Sequence, residues 1–222
     1  ASLRMSLLRC EGRGAGMRLG IVACDILKNE IEHLTKDDPD FVKREYLEFA
    51  LHVYPEDMRI KIEDTVNALK GEVDAVFVGY AVCSSLQGLT KKLEVPAVML
   101  EGADCIDALL GSQEYTEEKK ICTGTWFSSP GWAEQGVEGI IKELHLDSVE
   151  GYDPKFFVDM LFQSYERCLF VDSGVGRTEH YRKKSEEVAE YLGLRHECRT
   201  CGLSKLEEAI RKVKELGASL AS

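Results

Sequence analysis

Short, nearly unbroken apolar runs alternate along this chain with amphipathic stretches, and that alternation narrows the fold more than any other feature. Leu19–Ala23, Ala75–Gly79 with Tyr80–Val82 behind it, Ala97–Leu100 and Arg167–Val171 have the length and composition of β-strands covered on both faces. Two further strands are expected at 120–126 and 194–198. Helices are expected from Asp25, over Asp40–Val53, from Pro55 to Gly71, from Pro130 to about Leu144, up to Leu192–Gly193 and from Ser204. Pro55 with Glu56 and Asp57, Ser129 with Pro130, and the Ser204-x-x-Glu207 capping box mark three of the helix starts. Strands alternating with helices predict a doubly wound, mostly parallel α/β sheet of about six strands with helices on both faces. Residues 1–16 read as a flexible extension and 17–222 as a single α/β domain. Two merged three-strand halves meeting near 145–155 are the other arrangement compatible with the pattern.

With 222 residues, 44% of them hydrophobic, the chain can bury a core of single-domain size. Its net charge is −11, and Lys and Arg are dispersed along helices rather than gathered in blocks, which argues against nucleic-acid binding. No apolar run approaches the roughly 20 residues of a membrane span, and the apolar piece near the start is too short for an export signal. The expected location is the cytoplasm. A disulfide framework is not expected there, so the eight cysteines call for another account.

Position sorts them. Cys24, Cys83 and Cys105 each follow an apolar run, and in open α/β sheets ligands collect at the carboxyl ends of strands. Adjacent helix starts are expected to lower the pKa of these thiols and favour the thiolate. Three thiolates would leave an open position on zinc or on an iron–sulfur cluster, to be filled by Glu101, Asp104 or an external ligand. Cys122 and Cys168 are expected inside strands as small buried apolar residues, and Cys10 falls in the extension. A second group, His196-x-Cys198-x-x-Cys201, either joins the first three cysteines or forms a separate dithiol. The loop Asp172–Ser173–Gly174–Val175–Gly176 could hold an anion or a cofactor phosphate on its amides, with Trp126 and Trp132 as flat walls at the same edge. Neither a G-x-G-x-x-G nor a P-loop motif is present, and no hydrolase signature occurs.

Gly20–Leu27 with Glu30, Leu47–His52, Gly79–Cys83, Asp104–Ile106 with Leu110–Ser112, Gly124–Trp126, Pro130–Trp132 and Asp172–Gly174 form an ordered series. Together they resemble an uncharacterised prokaryotic family carrying a domain of unknown function, common in methanogens and anaerobes and often encoded near corrinoid-dependent methyltransferases. Two positions depart from that family's pattern. Ser84–Ser85–Leu86 stands where a Gly-Asn-Gly-like turn is usual, and Ala103 where a histidine is common. The resemblance implies a role accessory to one-carbon or corrinoid-linked methyl metabolism, as a methyl- or thiol-handling metalloprotein with a small-molecule or corrinoid-pathway partner. A non-enzymatic binder of a corrinoid or phosphate-bearing ligand, and a thiol–disulfide protein using Cys198 and Cys201, are the alternatives.

Overall fold

A computed structural model describes residues 16–81, 84–148, 151 and 153–220. The chain begins with β1 (Leu19–Cys24), a single 3₁₀ turn and α1 (Lys28–Thr35). Next come β2 (Phe41–Leu47), α2 (Pro55–Ala68), β3 (Ala75–Ala81) and β4 (Ala97–Leu100). These strands form one parallel sheet in the order β2-β1-β3-β4. Two consecutive helices, α3 (Cys105–Leu110) and α4 (Ser112–Ile121), lead to a second parallel sheet. It contains β5 (Thr125–Ser128), β6 (Arg167–Asp172) and β7 (Arg195–Thr200) in sequence order. Helices α5 (Pro130–Glu143), α6 (Pro154–Leu161) and α7 (Thr178–Leu192) accompany it, and α8 (Ser204–Leu220) closes the described chain.

Strand alternation sends neighbouring residues of β1 and β3 to opposite faces, and both faces are buried. Leu19, Ile21, Ala75 and Phe77 meet Leu206, Ala209, Ile210 and Val213 of α8. Val22, Val76 and Val78 meet Met58, Ile62 and Val66, the four-spaced stripe of α2. Thus α8, which follows the last strand of the second sheet, packs on the first. Val171 of β6 joins that same core, so the two sheets share buried apolar surface.

The expected single sheet of about six strands is therefore two sheets, of four and three strands, which part between β4 and β5. Residues 41–47 are a strand where a helix spanning 40–53 was expected, followed by a 3₁₀ turn at Phe49–Val53. β2 is a sheet edge, and its outward Lys43 and Glu45 imitate the polar face of an amphipathic helix while discouraging edge pairing. The strand expected at 120–126 is shifted: α4 runs to Ile121, whose side chain is 70% exposed, and pairing starts at Thr125. Cys122 accordingly follows a helix rather than lying within a strand, although it is buried as expected, as is Cys168.

Two contacts hold the second sheet in place, one to α4 and among its own strands and one to the first half of the chain. Arg167 at the start of β6 is buried and donates to Glu118 Oε2 (2.6 Å), to the Glu118 carbonyl (2.9 Å), to Thr125 Oγ1 (2.8 Å) and to Glu197 Oε2 (2.8 Å). At the start of α5, Gly131 lies against the turn after β1; a Cβ there would stand 2.0 Å from the Ile26 carbonyl oxygen. Because backbone cannot rotate away as a side chain can, Gly131→Ala should destabilise the fold by at least about 2 kcal/mol. Gly202→Ala meets nothing within 4 Å and should shift stability by less than about 0.5 kcal/mol. Chemical denaturation of the two variants checks this contrast.

Candidate functional site

Three strands of the first sheet end at one cleft. β1 ends in Cys24, β3 in Tyr80–Ala81, and β4 runs into the loop that opens α3 with Asp104 and Cys105. That loop is held firmly. Asp107 accepts from the Ala103 amide (2.6 Å), Ser112 Oγ (2.8 Å) and Lys205 Nζ (2.7 Å). Asp104 caps α3, its Oδ1 accepting from the Ile106 and Asp107 amides at 2.9 Å each, while its Oδ2 accepts from the Tyr115 hydroxyl at 2.6 Å. The opposite wall comes from the second half, through Trp126 of β5 and Trp132 of α5. Between the walls lies a cavity of about 490 Å³, lined by Cys24, Cys105, Tyr80, Asp104, Tyr115, Trp126 and Trp132 among others.

Burial dominates the thiol chemistry. Cys24 is pushed well above the ordinary thiol range, first by desolvation and then by the field of Cys105. Cys105 is pushed up to about 12 by desolvation and by the neighbouring Asp104, against which a hydrogen bond from the Trp132 indole works. Backbone amides of Ile26 and Ile106 do pull the two thiols down, as helix starts are expected to. The desolvation they oppose is larger, so the expected low-pKa thiolates are neutral thiols. Tyr80 is raised by burial and by Cys24, and Tyr115 by burial and Asp104.

The remaining candidates fall elsewhere. Cys83 lies outside the described residues, as does Cys10. Asp172 ends β6 and Ser173, Gly174 and Gly176 follow it, and none of the four lines the cavity. Some of their polar groups are used within the protein: Ser173 Oγ donates to Glu30 Oε1 (2.7 Å) and the Gly174 amide to Asp172 Oδ1 (2.8 Å). Cys198 is exposed on β7, its sulfur 3.9 Å from His196 Nδ1, and Cys201 follows the strand with its thiol pushed up to about 12 by burial. Neither lines the cavity. Among the described residues, no three His, Cys, Asp or Glu side chains form a metal-sized group. Sequence reasoning missed Tyr80 and Tyr115. A tyrosine at the carboxyl end of an otherwise apolar buried strand was the signal available for the first.

These features define a two-sheet parallel α/β protein with a thiol-bearing, aromatic-walled cleft at its strand ends. Residues 46–210 match the family described as protein of unknown function (DUF1638), and the chain belongs to that family. No curated protein and no solved structure matches it. Among the described residues, no helix is long and apolar enough to cross a membrane.

Thiols with raised pKa keep their protons through neutrality and lose them only as pH climbs. Near neutral pH, Cys105 in metal-free protein should alkylate on the order of a thousandfold more slowly than an unperturbed peptide thiol. Mass spectrometry of timed alkylation reads this directly. By linkage, the stability supplied by the protonated thiols is complete below the ordinary thiol pKa of about 8.5 and is lost as pH rises toward 12.

Proposed function

We propose that the cleft holds a soft metal centre, zinc or an iron–sulfur cluster, on Cys24 and Cys105, with Cys83 as the third donor. The observation that carries this is two neutral, desolvated thiols from separate strand ends sharing one cavity whose described lining contains no Lys, Arg or His. At these thiols desolvation outweighs the helix-start amides, and the described lining provides no positive charge to hold a nucleophilic or redox thiolate. A bound metal ion brings that charge itself and displaces the thiol protons. Cys83 is proposed as the third donor because Ala81 and Ser85, two positions before and after it in sequence, both line the cavity.

When bound, zinc would supply a Lewis-acidic site with an open position, and a cluster an electron-transfer centre. The chain's own residues would orient and enclose it. Asp104 fixes the start of α3 and hence Cys105, while Trp132 donates to that sulfur and excludes water. The one-carbon or corrinoid-linked setting is carried by the family resemblance, and the cleft offers it a thiol-lined chamber.

Anaerobic purification followed by metal analysis and a visible spectrum tests the proposal. Iron with broad absorption in the violet marks a cluster, and colourless protein with stoichiometric zinc marks the thiolate site. Replacing Cys24, Cys83 and Cys105 together by Ser should abolish metal content, whereas replacing Cys122 and Cys168 by Ala should leave it unchanged. Fresh wild-type protein without metal, or a triple variant that retains it, would sink the idea.

A further inference from the structure

A metal centre fills only part of this cavity. Its volume of about 490 Å³ lies within the range of small-molecule pockets, roughly 300–1,000 Å³. Beyond the thiols, the described lining combines aromatic rings with aliphatic and small residues and two carboxylate residues, Asp104 and Glu143, with no basic side chain. Trp126 and Trp132 meet edge to face, with ring centroids 5.8 Å apart and planes at 74°, so their indole faces form a corner. Asp104 sits beside the thiol of Cys105 on the same lining, and its three donors, two amides and the Tyr115 hydroxyl, are all neutral. The outer attraction of this wall for cations is already visible at Tyr115, whose ring carries the Lys119 ammonium 4.9 Å from its centroid. Tyr80 adds a hydroxyl with no hydrogen-bond partner among the described residues, on a residue only 7% exposed.

We infer that the aromatic wall of the cavity binds a small organic cation, a methylated ammonium group seated against the Trp126–Trp132 corner. Ring faces attract a cation through their quadrupoles, and most strongly when the cation is shielded from water. A methylated ammonium suits this wall better than a primary one, because it carries its charge on an apolar surface and has few or no N–H groups that need acceptors. Asp104 supplies countercharge, and the Tyr80 hydroxyl is available to a polar arm of the ligand. The inference deepens the metal reading, on which it rests for the other occupant of the cavity: thiolates at Cys24 and Cys105 would add negative charge to the lining that carries Asp104.

Titration of the purified protein by calorimetry and tryptophan fluorescence, with tetramethylammonium, choline and choline's uncharged carbon isostere dimethylbutanol, tests it. Both cations should bind and quench the indole emission, choline at least about tenfold more tightly than dimethylbutanol. Asp104→Asn keeps a residue able to cap α3; it should weaken choline binding several-fold and leave dimethylbutanol unchanged. Equal affinity for choline and its isostere, or no cation binding by wild-type protein with native circular dichroism, would overturn the inference. Metal content measured on the same samples separates the two readings. Metal-free protein that prefers the cation defeats only the metal site, and metal-loaded protein without that preference defeats only the ammonium site.

Discussion

The cleft exists because the first turn of α5 comes within touching distance of backbone in the other half of the molecule. Only a residue without a side chain fits at Gly131, against the Ile26 carbonyl. Ile26 follows the end of β1 by two residues, and Trp132 follows Gly131 by one. One close approach therefore sets the distance between a thiol-bearing edge and an indole-bearing wall. The buried Arg167 network secures the far side, joining α4, β5, β6 and β7 through charge-assisted hydrogen bonds. With both fixed, the space between the sheets has a defined size and a defined lining.

The electrostatics of that space follow from burial rather than from helix dipoles. Amides at two helix starts favour thiolates at Cys24 and Cys105, yet desolvation outweighs them and the thiols remain protonated. A cavity holding acids and neutral thiols, with no basic lining residue among those described, is short of positive charge. The proposed metal and the proposed organic cation would each answer that shortage.

Much of this arrangement is legible in the residues themselves. The runs at 19–24, 75–81 and 97–100 are buried on both faces, so their composition alone marks them as strands, and their ends place Cys24 and Cys105 at one edge. β2 is illegible for the opposite reason: as an edge strand it keeps charged residues at Lys43, Arg44 and Glu45, which resemble a solvated helix face. Strand pairing is a long-range property, so local periodicity could not show that β4 and β5 belong to different sheets. Trp126 and Trp132 were recognisable as flat walls. Their pairing with Asp104 and Tyr115 depends on α3 and α4 lying between the sheets, which no local pattern encodes. The 172–176 loop illustrates the converse, a glycine-bearing turn whose shape suggests ligand binding but some of whose polar groups are used internally.

The packing of α8 has a consequence for how the molecule is made. Leu19, Ile21, Ala75 and Phe77 are covered by a helix that begins almost two hundred residues after Leu19. During synthesis the part of the first sheet that α8 covers therefore stays bare until that helix emerges. Such a topology depends on contacts between segments far apart in sequence, which favours slow folding with exposed apolar surface. Truncation within α8 would thus uncover β1 and β3 rather than affect the helix alone.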